Sequence, residues 1–276
     1  MTTVTAKVVE DSESPYGKRI ITYQLRYPRI VHAQLMTHRM FSRNASSSRA
    51  IPVERLIQEV IDDPYIPIYW GRNQKGMVAE GELNEEEIQH AKAVWLQARD
   101  NAVRTAQQLS AIGLHKEEVN RHLEPFGHIH VIVTATELGN FFNLRQDKHA
   151  HRLMQALSGA MLESAKQSKP KRIAMGRWHL PYVTQQEHDE YDEKICRMLS
   201  VARCARVSYA KHDGSDPSVK EDCELHDNLK TNLHMSAFEH QATPLLYVCK
   251  NSANFYGWRQ YRQDIPNENR PVYLGF

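Results

Sequence analysis

Along "KRIITYQLRY", Ile21, Tyr23, Leu25 and Tyr27 alternate with Thr22, Gln24 and Arg26. That two-residue period predicts a half-buried strand. The β-prone run "TVTAKVVED" precedes it across the turn-rich "SESPYGK", so the pair reads as an antiparallel hairpin. Pro28 suits a first helical turn, which predicts a helix over Arg29 to Met40. "DDPYIPIYWGRNQKG" is a loop punctuated by proline and glycine.

Asn84 with Glu87 three residues on is a capping-box pattern. It opens a long helix carrying Ile88, Ala91, Trp95, Ala98 and Ala102 on one side and ending at Gly113. A second helix is expected from Lys116, with Val119, Arg121 and Leu123 before Pro125. "HIHVIVTATELGNFFNLR" is rich in β-branched residues yet long enough for a buried helix, and is read mainly as helix. "AHRLMQALSGAMLESAKQ" has clearer helical periodicity, and "SKPKRIAMGRWHLPYV" reads as a connector. Beyond it the pattern gives a helix ("EYDEKICRMLSVARCARVS"), a polar loop ("KHDGSDPS"), a helix to about His234, a strand ("PLLYVCK") and a short helix ("ANFYGWRQYRQD"). These elements predict an α+β fold, an antiparallel sheet flanked by helices. The connector divides it into residues 1–175 and 176–276, two halves that either stand apart or intertwine as one domain.

Composition narrows the classes. A chain of 276 residues, 41% hydrophobic and 25% charged, is long enough for a sizeable core. A formal charge of +2 argues against a nucleic-acid partner, which needs a concentrated basic face. Cys196, Cys204, Cys223 and Cys249 form no CxxC pair, and the fifteen histidines include no HExxH. Reduced thiols and no metal site are therefore expected. The opening "MTTVTAKVVED" lacks an apolar signal core, and no run approaches the ~18 apolar residues of a membrane span. The expectation is a cytoplasmic protein.

The stretch with chemistry is "QLMTHRMFSRNASSSRA", from Gln34 to Ala50. On a helix, Gln34 and His38 lie one turn apart on one face. Ser42 to Arg49 then read as a polar turn or frayed helix end. Small residues let backbone N–H groups approach an anion, serine hydroxyls add donors, and arginine matches phosphate oxygens with a two-pronged fork. The residues by themselves fit two readings equally: a phosphate cradle, or a solvated helix end capped by serines. Arg145 follows a strongly apolar stretch, so either a structural carboxylate or a ligand has to pair with it. Phe141, Phe142, Phe255, Tyr256 and Trp258 read as core, and Arg203 and Arg206, flanking Cys204, as surface or interface residues.

"THRMFSRNASSSRA" resembles the signature of flavin-dependent thymidylate synthases, with His38, Arg39, Ser42, Asn44, Ser47 and Arg49 in register. Thr37, Ala45 and Ala50 stand where that signature has arginine, glutamate and tyrosine. "NFFNLRQDKHAH" resembles the family's later helix, and "EEVNRHLEP" the segment with a nucleotide-binding arginine. "ARVSY" and "HMSAFEH" resemble flavin-side segments that in the family precede the signature; here they follow it. The order looks permuted or partly duplicated. An internal echo agrees: His38-Arg39 and Asn44-Ala45 align with Tyr261-Arg262 and Asn267-Glu268.

The resemblance implies reductive methylation of dUMP to dTMP, with methylenetetrahydrofolate as carbon donor and NADPH reducing bound FAD. Such chemistry belongs to the cofactor, and the protein supplies binding and electrostatics. It implies Arg145 and Ser47 as catalytic, and Gln34, Ser47, Ser48, Arg49, Arg121 and Arg145 as nucleotide contacts. His38, Arg39, Asn44, Asn140, Ser208, His234, Ser236 and Glu239 fall on the flavin side, with Glu268 a candidate to replace the carboxylate missing at Ala45. A homo-oligomer, dimer or tetramer, is also implied. The three departures leave two alternatives: hydroxymethylation of dUMP or dCMP, and a non-catalytic nucleotide-binding descendant.

Overall fold

A computed structural model describes residues 4–209, 216–246, 251–266 and 268. The predicted hairpin forms: β1 (Thr5–Glu13) pairs antiparallel with β2 (Arg19–Pro28), with an irregularity in register between Val8 and Glu10. The helix expected over Arg29 to Met40 is much shorter. A 3₁₀ turn at Arg29–Val31 leads into α1 (His32–Met36), and Thr37 to Phe41 form a turn. Of the stretch from Ser42 to Arg49 read as a polar turn or frayed helix end, only the part at Ser48–Ala50 is a turn, of 3₁₀ type. Ser42–Ala45 is strand β3, held by pairing across the sheet, which no local pattern announces.

α2 (Val53–Asp62) comes after the bend, and α3 (Glu85–Ala111) opens on the expected capping box and stops before Gly113, whose φ of +83° suits glycine. The helix expected from Lys116 is only α4 (Lys116–Val119), continued by 3₁₀ turns at Asn120–His122 and Glu124–Phe126. The segment read as mainly helix divides into β4 (His128–Ala135) and α5 (Gly139–Arg145). Its β-branched half finds partners on both sides, and pairing decides against helix.

α6 (Arg152–Gln167) is followed by β5 (Lys171–Arg172), α7 (Gln185–Glu190), α8 (Glu193–Tyr209) and α9 (Val219–Thr231). Of the strand expected over "PLLYVCK", residues 244–250, only Pro244 is in a strand, at the end of β6 (Ala242–Pro244), and residues 247–250, Cys249 among them, lie outside the described residues. The last expected helix is instead β7 (Asn251–Ser252), β8 (Phe255–Tyr256), β9 (Trp258–Gln260) and a 3₁₀ turn at Tyr261–Asp264. The internal echo therefore has no helical counterpart there, and Asn267 is outside the described residues.

The main sheet has the order β3-β4-β2-β1-β5 and is antiparallel except for the parallel β1–β5 edge. Tyr23, Leu25, Tyr27, Val131, Val133 and Ala135 point to one face and pack on Leu153, Met154, Leu157 and Met161 of α6. The other face carries a row of cross-strand neighbours, Thr22, Thr134 and Ser42, each fully enclosed.

The C-terminal half covers that polar row and satisfies it with side chains. His179 Nε2 meets Thr22 Oγ1 at 2.8 Å, His240 Nδ1 meets Thr134 Oγ1 at 2.9 Å, and Gln260 Nε2 donates to Ser42 Oγ at 2.8 Å. Burial without such partners would cost each hydroxyl about 1–3 kcal/mol. Phe141, Phe255 and Trp258 are core residues, as read.

Candidate functional site

The serine-arginine bend is fixed from beneath by residues the sequence pattern did not single out. Ser46 N–H donates to the His130 carbonyl at 2.8 Å, anchoring the end of β3 to β4. The fully buried Asn120 donates from Nδ2 to the carbonyls of Ser48 (2.7 Å) and Ile51 (3.0 Å). Ser48 is itself buried, its hydroxyl donating to Glu124 Oε1 at 2.6 Å, and Glu124 also pairs with Arg121 at 3.0 Å and Arg29 at 3.7 Å. Two residues assigned to the nucleotide, Ser48 and Arg121, are thus joined through one carboxylate.

Ser47 and Arg49 face a cavity of about 460 Å³. Asn44, Ala50, His115, Glu117, Ala205, Leu229, His234, Ser236 and Ala237 complete its wall. Asn44, Ser47, Arg49, His234 and Ser236 therefore come together although 192 positions separate Asn44 from Ser236. Ala205 brings the end of α8 to the same place; Ser208 follows on that helix, and its side chain lies outside the described part. Arg49 pairs with Glu117 at 3.0 Å, but the two side chains are 58% and 45% exposed. A pair so exposed holds weakly, and a phosphate can displace the carboxylate. A cavity of this size with several donors and one acid suits an anionic cofactor or nucleotide, so the residues present fit a flavin or a nucleotide phosphate.

A second cavity, of about 590 Å³, is lined by Gln34, Arg145, His149, His151 and Arg152 with the loop from Tyr65 to Ala79. Gln34 and His38 do not share a helix face, because α1 ends at Met36; Arg145 links them instead. Arg145 Nε donates to His38 Nε2 at 2.9 Å, and its Nη2 reaches the Gln34 carbonyl (3.2 Å) and Thr37 Oγ1 (3.1 Å). The partner demanded for Arg145 is thus a set of neutral acceptors; among the described residues no carboxylate lies within ion-pair distance. Arg152 sits 4.9 Å over the Tyr69 ring. Two guanidinium groups thus face a cavity whose wall carries no acid.

Burial and the neighbouring guanidiniums of Arg145 and Arg43 hold the His38 imidazole below its ordinary pKa. Because Arg145 is a donor only, Nε2 of His38 is an acceptor and the ring proton sits on Nδ1. The ring is enclosed by Phe41 (centroids 5.6 Å, stacked) and Phe141 (4.9 Å, edge-on).

The remaining candidates are more scattered. Arg39 and Asn140 are exposed. Glu239 pairs with Arg262 at 2.5 Å, and Arg262 also pairs with Glu268 at 2.7 Å, so one cation links both flavin-side carboxylates. Arg203 and Arg206 are not surface residues: Arg203 bonds Glu187, and both pair with Asp222, which is fully buried. The sequence reading missed Asn120, Glu124, His115 and Glu117. Glu124 alone left a trace, three residues after Arg121 on what was expected to be a helix.

Among the described residues no group of three or more His, Cys, Asp or Glu is placed to hold a metal ion, and no helix is long and apolar enough to cross a membrane. Fold and cavities together define an α+β protein with a donor-rich cleft assembled from both ends of its chain. The thymidylate synthase complementing protein family matches residues 5–171, and the chain belongs to that family of flavin-dependent thymidylate synthase-like enzymes. It is accordingly an enzyme of nucleotide methylation at the family level. The segments "ARVSY" and "HMSAFEH" lie beyond the matched residues.

Among solved structures, a UMP/dUMP methylase, PolB of Streptomyces cacaoi bound with 5-Br UMP, is 18% identical with a TM-score of 0.52. The match covers 60% of this chain and 90% of that one, a likeness of fold. The same enzyme bound with 5-Br dUMP gives 16% identity, coverages of 59% and 90%, and a TM-score of 0.48. No curated protein matches the sequence.

Proposed function

We propose that the chain methylates dUMP to dTMP, drawing the one-carbon unit from methylenetetrahydrofolate and the reducing hydride from NADPH. The reaction balances as dUMP, methylenetetrahydrofolate, NADPH and a proton giving dTMP, tetrahydrofolate and NADP⁺. FAD, when bound, supplies the redox chemistry that converts a methylene-level carbon into a methyl group.

The chain's own residues bind and orient. Ser47 and Arg49 hold the nucleotide phosphate at the first cavity, where Asn44, His234 and Ser236 bound the neighbouring space; Arg145 faces the second cavity, and it stabilises negative charge that grows on the pyrimidine ring in a site that two copies of the chain complete together. The observation that carries this reading is the guanidinium of Arg145, held only by neutral acceptors at the wall of a cavity without an acid. It also bears on the first departure from the signature. Arg145 Nη2 lies 3.1 Å from Thr37 Oγ1, so a guanidinium stands beside the position where the family has arginine.

Residues 176–276 contribute Ala205, Leu229, His234, Ser236 and Ala237 to the cavity holding Ser47 and Arg49, which supports a site completed by the C-terminal half. Glu268 stands as a candidate for the carboxylate absent at Ala45; unchanged flavin affinity and turnover in Glu268→Gln would remove it.

The deciding experiment incubates the purified enzyme and FAD with dUMP, methylenetetrahydrofolate and NADPH, and identifies the product by mass spectrometry. A methylated product is expected. A hydroxymethylated product, or product from dCMP or UMP alone, would replace this reading, and failure to take up FAD would end it.

A further inference from the structure

We propose that Arg43, which lies between the matched signature positions, is a positioning residue for His38. The inference rests on the reading of His38 as a contact of the bound cofactor. α1 is only five residues long, so its last carbonyls have no following helical turn to bond. Arg43, half-buried on β3, supplies the missing donors: Nη1 donates to the Met36 carbonyl at 2.7 Å and to the His38 carbonyl at 3.2 Å. The same turn is closed by His38 N–H on the Leu35 carbonyl (3.1 Å) and Phe41 N–H on the His38 carbonyl (3.2 Å).

His38 is thereby held from two directions. Arg43 fixes its backbone from β3, and Arg145 fixes its ring from α5. Both cations disfavour a proton on His38, and burial acts in the same sense. The charged and titratable groups around this arrangement are Arg145 on α5, Arg43 on β3, Tyr27 on β2, His32 on α1, on which Arg43 also acts, and Glu239, which acts on Arg43 from the C-terminal half. The result is an imidazole with one tautomer, bare at Nε2 and protonated at Nδ1. Among the described residues Nδ1 has no hydrogen-bond partner, so its proton is available to an acceptor on the cofactor.

The test compares Arg43→Met, which removes charge and donors, with Arg43→Lys, which keeps a charged donor on a shorter head. Nitrogen-15 NMR of the His38 ring in the full chain reads tautomer and titration directly, and FAD affinity and turnover are measured on the same samples. In Arg43→Met, His38 is expected to titrate at higher pH and to show mixed tautomers. Turnover is expected to fall by about tenfold to a hundredfold, with a smaller change in KM for dUMP, and Arg43→Lys is expected to recover much of it.

If His38 keeps its tautomer and titration in Arg43→Met, the proposal is overturned whatever happens to turnover. If His38 changes while FAD affinity and turnover stay at the parent level, it is the assignment of His38 to the cofactor that falls, and with it any part for Arg43 in the reaction. Should Arg43→Met fail to fold, Arg43→Lys and Arg43→Gln give the same readings, and an unaltered His38 in Arg43→Gln overturns the proposal.

Discussion

Ser236 Oγ donates to Asn44 Oδ1 at 3.2 Å, and the other end of the same amide, Asn44 Nδ2, donates to the Cys204 carbonyl at 2.7 Å. The signature asparagine is therefore a tie between β3, α8 and the turn that carries Ser236. Asn44→Ala removes both bonds and leaves the Cys204 carbonyl without this donor. We expect a loss of about 1–3 kcal/mol of stability, measured by urea unfolding, with earlier proteolytic cleavage after residue 176 than in the parent chain. An unchanged midpoint would show that the tie carries no load.

Arg49 gives a sharper test of the bend, because its exposed pair with Glu117 contributes little to stability. Arg49→Ala should leave the melting temperature within a degree or so while weakening dUMP binding. A charge-assisted phosphate contact of about 1.5–3 kcal/mol corresponds to a loss of about tenfold to a hundredfold in affinity. Deoxyuridine, which lacks the phosphate, should bind parent and variant alike by calorimetry. Equal weakening for both ligands would move the phosphate elsewhere.

Arg145→Gln keeps a hydrogen-bonding head and loses the charge. If the guanidinium stabilises charge that develops on the pyrimidine, turnover should fall by about a hundredfold or more. The nucleotide dissociation constant should change far less. A variant that binds tenfold more weakly yet turns over normally at saturation would make Arg145 a ground-state contact instead.

The buried histidines predict the response to acid. Burial pushes both His179 and His240 down to about 3. Unfolded histidines take up protons near 6.5, so below that pH the unfolded chain binds more protons and stability falls as pH drops toward 3. Glu10, pushed up to about 7 by burial, opposes this between its unfolded value and 7, which softens the first part of the decline. We expect a level melting temperature above pH 7, a shallow fall from 6.5, and a steeper one below about 4.5. His240→Gln still offers Thr134 an acceptor and should flatten the profile; identical profiles would contradict the assignment.

How much was legible depended on whether the deciding interaction was local. The hairpin alternation, the Asn84 capping box and the apolar stripe of α6 concern neighbours a few residues apart, and each element formed as read. Capping boxes at Thr184 with Glu187 and Ser218 with Glu221 were equally visible and were not read. β4 failed for a different reason. "HIHVIVTA" does alternate, with Ile129, Val131, Val133 and Ala135 on the core face and His128, His130 and Thr134 on the other, but the apolar run from Val131 to Val133 blurs the period, and pairing with β2 and β3 makes it a strand.

By itself the sequence determined the local turns and caps, the apolar side of the first sheet face, and the spacing of Asn44, Ser47 and Arg49 along the bend. Tertiary structure alone decided that Thr22, Thr134 and Ser42 are interior, that His234 and Ser236 stand beside that bend, and that Arg145 meets His38 in place of a carboxylate. The physical reason is that a hydrogen bond across a hundred residues leaves no period in the chain. Its two partners are chosen by the packing that brings them together, and either of them alone reads as an ordinary polar residue.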